Sequence, residues 1–155
     1  MTALAARPMT TLAGLPWRVL VGPNLVPSLP RLVSAAAEGV VVEKARPDFV
    51  QLIANCRVSI SQAGYNTLME LMAVGARAVV VPFAQAGETE QTLRAELLAE
   101  QGLVDVVNET SLDAAGLARA VDRAAERTPA ERARLDLNGL ESSVRLVREA
   151  LAEVG

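Results

Sequence analysis

The chain has 155 residues, a formal charge of −3, 51% apolar and 21% charged residues, and only 3% aromatics. That length suits one domain spanning residues 1–155, with an aliphatic core of the kind found in parallel sheets covered by helices. The acidic balance and the scarcity of aromatics exclude a basic nucleic-acid footprint and a base-stacking platform.

Taken in order, Thr2 to Ala6 read as the end of an alanine-rich helix that stops at Arg7-Pro8. Trp17 to Val21 form a short β run ended by a turn at Gly22-Pro23-Asn24. A helix over Leu29 to Ala37 is expected to close on Gly39, followed by a strand at Val40 to Val42. Pro47 opens a helix through Phe49, Leu52 and Ile53. A third strand covers Arg57 to Ile60, a helix Thr67 to Val74 ends at Gly75, and a fourth strand runs from Ala78 to Val81. The helix from Glu88 to Gln101 carries Leu93 and Leu97 on one face and closes at Gly102. A fifth strand covers Leu103 to Val107, and helices follow at Leu112 to Ala125 and Glu131 to Val154. This alternation predicts an α/β fold with a Rossmann-like parallel sheet, right-handed crossovers and helices on both faces.

Ligands of such sheets bind beyond the carboxyl ends of the strands, and three segments fall there. In Gln62-Ala63-Gly64-Tyr65-Asn66-Thr67, small residues and free N–H groups at a helix start suit a phosphate. Glu70, one turn in, either holds ribose hydroxyls or closes a capping box with Thr67. In the segment from Phe83 to Arg94, Glu88 and Glu90 either complement the helix dipole or, with Gln91, meet sugar hydroxyls. Arg46, after the second strand, either sits in solvent or reaches a phosphate or a base.

The chain has no histidine, the commonest general base and metal ligand, and no zinc-type spacing, so no metal site is expected. The single cysteine, Cys56, precludes an internal disulfide, fits a cytoplasmic setting, and is expected to be a buried, inert thiol. No apolar run approaches the roughly 20 residues needed to span a bilayer, and the N-terminus lacks the apolar core of a signal peptide.

The run from Ser61 through Gln91 resembles the nucleotide-sugar-binding half of GT-B glycosyltransferases, and within them the family 28 C-terminal domain, typified by the N-acetylglucosaminyltransferase that makes lipid II. The resemblance rests on Gly64, Thr67-x-x-Glu70, Gly75, Ala78 to Phe83 and Glu90-Gln91, and on the strings SQAGYNT, VPF and GETEQTLRA. It extends from about Trp17 to Ala125. It implies a donor site for a nucleotide diphosphate sugar, usually a uridine diphosphate (UDP) sugar, that transfers a hexosyl group to a hydroxyl acceptor without metal or other cofactor. Gly64, Tyr65, Asn66 and Thr67 would meet the diphosphate and sugar. Glu70 would hold the ribose, Glu90 and Gln91 the transferred sugar, and Arg46 would lie beside the base. Two features depart from the family: Glu90 stands where the lipid II enzyme has a glutamine, and the strand and Gly-rich loop that open the family's domain have no counterpart before Met1.

The resemblance further implies that the chain is the C-terminal part of a two-domain enzyme, whose N-terminal domain binds the acceptor and supplies the catalytic base. No catalytic residue is therefore assigned in this chain, and the chain alone is expected to be inactive. Two other functions fit the same residues: a UDP-sugar epimerase of GT-B type, and a non-catalytic nucleotide- or partner-binding domain. The last helix is a candidate for self-association, and a lipid-linked acceptor would bring the protein to the membrane periphery.

Overall fold

The structure, a computed structural model, describes residues 2–83 and 89–128. The expected helix at Glu131 to Val154, and with it the self-association surface, lies outside the described residues. So does Glu88.

Five strands alternate with helices: β1 (Trp17–Val21), β2 (Val40–Lys44), β3 (Ser59–Gln62), β4 (Ala78–Val81) and β5 (Asp105–Val106). The helices are α1 (Thr2–Ala6), α2 (Leu29–Ser34), α3 (Phe49–Asn55), α4 (Tyr65–Val74), α5 (Glu90–Glu100) and α6 (Ala114–Glu126). Every strand pair is parallel, as the alternation predicts. The strands form two sheets, β1-β2 and β3-β4-β5. In the doubly wound order 3-2-1-4-5-6, β2 and β1 correspond to positions 3 and 2, and β3 to β5 to positions 4 to 6. No described residue supplies position 1, so β1 and β3 are not hydrogen-bonded to each other.

The period-2 alternation of β4 sends its side chains to two cores. Ala78 and Val80 pack with Ile53 of α3, Leu68, Leu71 and Met72 of α4, and Ala95 and Leu98 of α5. Val79 packs on the opposite face with Ala6 of α1 and Leu117, Ala118, Val121 and Ala124 of α6. This sheet therefore has helices on both faces, and β4 is the central strand with Ala78, Val79 and Val80 fully buried. Asp105 of β5 is nearly buried and pairs with Arg127 at 2.5 Å and Arg123 at 3.3 Å, fixing the end of α6 to the sheet. At its other end α6 is capped by Asp113, whose carboxylate accepts from the Gly116 N–H at 2.5 Å.

Several boundaries differ from expectation. α2 stops at Ser34, and Gly39 (φ +77°) forms the turn into β2 instead of capping a helix. There Arg7 donates to the Glu38 carbonyl at 2.8 Å, a tertiary tie that competes with helix over the alanines. The segment after β1 is a 3-10 helix over Pro23–Ser28, where a simple turn was expected. Pro47 precedes the N-cap Asp48 of α3, outside the first turn. Leu93 and Leu97 face solvent, because Ala95 and Leu98 supply the inward face of α5. Cys56 is an exposed residue at the C-cap of α3, not a buried one. Its partly covered thiol donates to the Ile53 carbonyl at 3.3 Å, and desolvation pushes its pKa up.

Candidate functional site

β3 and β4 are neighbours, so the helices that follow them start side by side at one sheet edge. α4 begins after the N-cap Gly64, which is extended (φ −62°, ψ 145°) and makes no side-chain cap. The first helical bond runs from the Leu68 N–H to the Gly64 carbonyl. The N–H groups of Tyr65, Asn66 and Thr67 consequently have no partner among the described residues. Three unpaired donors at the positive end of a helix form an anion-binding arrangement.

This start overturns the capping-box alternative. Thr67 is the third helical residue, not the N-cap, so it has no box to form with Glu70. Asn66 and Glu70, four apart, share a face of α4, opposite in burial to Leu68, Leu71 and Met72. Glu70 is half-buried and makes no hydrogen bond or ion pair among the described residues. Gly75 ends the helix as expected: it is left-handed (φ +64°), and its N–H and that of Ala76 bond back to Met72 and Leu71.

α5 contributes the second part. Gln91 Oε1 accepts from the Phe83 N–H at 3.2 Å, tying the exit of β4 to the first turn of α5. The carbonyl oxygen of this amide is thus engaged, and its NH2 group has no partner among the described residues. Glu90 Oε1 is bonded by Arg94 Nη2 one turn on. The Arg94 guanidinium in turn lies 5.1 Å from the centre of the Tyr65 ring. Tyr65, Glu90 and Arg94 therefore bridge the starts of α4 and α5. Arg94 was not singled out by the sequence reading, although the i,i+4 spacing from Glu90 signals the ion pair.

Arg46 stands apart from this cluster. Its Nε donates to Asp48 Oδ1 at 2.8 Å and its Nη2 to Asp48 Oδ2 at 2.6 Å, and it also pairs with Glu43 at 3.6 Å. Glu43 is paired with Arg18 as well. Hydrogen bonding to Asp48, then its charge, raises the Arg46 pKa, and the same contact holds Asp48 below its ordinary value. These are surface contacts, with the Arg46 side chain 40% exposed.

Among the described residues no group of three or more His, Cys, Asp or Glu side chains could hold a metal, and no helix is long and apolar enough to cross a membrane. An open recess of about 550 Å³ lies between α1 and α6, lined mainly by Leu4, Ala5, Leu112 and Ala114. It includes no residue of α4 or α5, and its lining is mostly apolar side chains together with the N-cap Asp113 of α6.

Known proteins agree with that fold. Over 108 residues the chain is 36% identical to the UDP-N-acetylglucosamine--N-acetylmuramyl-(pentapeptide) pyrophosphoryl-undecaprenol N-acetylglucosamine transferase of Dichelobacter nodosus, covering 66% of this chain and 30% of that protein. The Burkholderia mallei protein of the same name is 41% identical over 71 residues, 46% of this chain and 19% of its own length. The chain thus spans less than a third of either relative. The calicheamicin glycosyltransferase CalG4 superposes over 97% of this chain and 37% of its own with a TM-score of 0.63 and 26% identity. The spinosyn forosaminyltransferase SpnP shares the fold over 72% of this chain and 35% of its own, with a TM-score of 0.54 at 18% identity. Residues 19–147 match the glycosyltransferase family 28 C-terminal domain, and the chain belongs to that family of GT-B glycosyltransferase domains.

Proposed function

We propose that the chain is the donor-binding domain of a glycosyltransferase and holds a UDP-sugar at the α4–α5 edge for hexosyl transfer to a hydroxyl acceptor. The observation that carries this reading is the start of α4: three N–H groups without a partner among the described residues, a glycine with open space where a side chain would be, and a carboxylate one turn further on that is likewise unpaired among the described residues. The names of the relatives, which include UDP-N-acetylglucosamine, supply the donor class.

In this reading the N–H groups of Tyr65, Asn66 and Thr67 bind the diphosphate and Gly64 admits it. Glu70 accepts hydrogen bonds from the ribose hydroxyls. Gln91 donates through its NH2 group to a sugar hydroxyl, with Glu90 beside it, and the backbone near Arg46 meets the base. The acceptor oxygen forms a bond to the sugar C1 as the bond from C1 to the diphosphate oxygen breaks. The dipole and N–H groups of α4 offset the charge that develops on the departing diphosphate. The acceptor proton goes to a base outside this chain, which has no histidine. The chain therefore acts as one half of a two-domain enzyme and has little turnover alone.

Thermal melting with a panel of nucleoside diphosphates tests the reading, since a ligand that binds the folded state raises its stability by mass action. UDP is expected to raise the midpoint more than its adenine and guanine counterparts. The absence of any nucleoside diphosphate effect would favour a partner-binding domain. UDP-sugar interconversion without an acceptor would favour an epimerase.

A further inference from the structure

Glu90 is the first residue of α5 and its side chain is 64% exposed. An unpaired carboxylate at this point would repel an acidic sugar and attract an amino sugar. It is not unpaired, because Arg94 bonds to it. Arg94 in turn is held at the junction by its stacking on Tyr65, the first residue of α4. The guanidinium is thus kept beside the two helix starts, and the Glu90–Arg94 pair has no net charge. Together its members still offer acceptor oxygens and N–H donors, which suit neutral hydroxyl groups.

We propose that Arg94 sets the charge selectivity of the donor site: by pairing with Glu90 while stacked on Tyr65, it favours a neutral hexosyl donor over one bearing a carboxylate or an ammonium group. This rests on the reading of the α4–α5 edge as the donor site and adds to it the class of sugar. Arg94 acts here as a specificity-determining residue, by neutralising its neighbour and by offering donors to the sugar.

The test compares wild-type protein with Arg94→Gln, Glu90→Gln and Arg94→Lys by calorimetric titration with UDP, UDP-glucose, UDP-glucuronic acid and UDP-glucosamine. Ratios of Kd between sugars cancel any common effect on the diphosphate. The wild type should bind UDP-glucose more tightly than either charged analogue. Removing one member of the pair leaves a unit charge near the sugar, which across so solvent-exposed a contact shifts these ratios by roughly fivefold to tenfold. Arg94→Gln should disfavour UDP-glucuronic acid and favour UDP-glucosamine relative to UDP-glucose, Glu90→Gln should do the reverse, and Arg94→Lys should keep the wild-type ratios. Should Arg94→Gln fail to fold, Glu90→Gln still gives the sign of the effect. Ratios within twofold of wild type in the charge-changing variants, with UDP still bound, would overturn the assignment of Arg94 alone. No binding of UDP by the wild type would overturn the donor-site reading and this proposal with it.

Discussion

Gly64 separates what the fold requires from what a ligand requires. Its φ of −62° is open to any residue, and a Cβ built on it meets nothing within 4 Å. Gly64→Ala should therefore leave the protein folded. At an N-cap, alanine is disfavoured relative to glycine by up to about 1 kcal/mol. The loss of unfolded-chain freedom offsets about 0.4–1 kcal/mol of that, for a net change within about 1 kcal/mol. Binding should respond differently. In the proposed binding mode, an oxygen about 2.9 Å from the N–H groups of Tyr65, Asn66 and Thr67 would come up against the Gly64 Cα. A methyl group there displaces it and removes at least one hydrogen bond to a charged group, worth about 1.5–3 kcal/mol, or at least about tenfold in Kd. Urea unfolding and calorimetric titration with UDP measure the two effects. Gly75→Ala is the reciprocal control: at φ +64° alanine costs about 1–2 kcal/mol in stability, with the Kd of the folded protein unchanged. A Gly64→Ala protein that is fully stable and binds UDP within twofold of wild type would refute the phosphate role of the α4 start.

Three further outcomes follow from the packing and electrostatics. Leu71 is fully buried among Ile53, Leu68 and Leu98, so Leu71→Ala should cost about 2–5 kcal/mol in urea unfolding. Asp48 is held below its ordinary pKa mainly by its hydrogen bond from Arg46. Its contribution is whole above the ordinary carboxylate pKa and is lost as pH falls through the lowered folded value. The stability difference between wild type and Asp48→Asn should accordingly shrink on acidification below about pH 4, and a pH-independent difference would contradict this. Cys56 is exposed but its thiol pKa is raised by desolvation, so its alkylation by iodoacetamide at pH 8, followed by mass spectrometry, should be slower than that of a free cysteine peptide.

The parts of the fold legible in the sequence are those set by local chemistry. Trp17–Val21 and Ala78–Val81 are bounded by glycine or proline signals and form strands over the expected residues. Gly75 stops α4 because only a left-handed residue completes that cap. Tertiary contacts decided the rest. The spacing of Leu93 and Leu97 shows that they share a face of α5, but Ala95 and Leu98 offer a rival face, and only packing against α4 and the sheet chooses between them. Similarly, Thr67-x-x-Glu70 reads as a cap or as a site, the cap being favoured by pattern alone. The extended N-cap at Gly64 moves the helix start two residues earlier and frees Glu70. The pairing of Arg46 with Asp48 and Glu43 joins a strand, a loop and a helix start, and no periodicity announces it. Arg94 was legible as a partner of Glu90 but not as a neighbour of Tyr65, which lies 29 positions earlier in the chain, because that contact depends on β3 and β4 being adjacent.

The central claim is that Glu70 reads the ribose of a bound nucleotide. It is tested by a double-mutant cycle in which wild type and Glu70→Ala are each titrated with UDP and with 2′,3′-dideoxy-UDP. If Glu70 accepts the ribose hydroxyls, its removal should weaken UDP by about 1.5–3 kcal/mol, or roughly tenfold to a hundredfold. The dideoxy ligand, which has no such hydroxyls, should bind both proteins alike. Equal loss for both ligands, or no loss for either, would contradict the account.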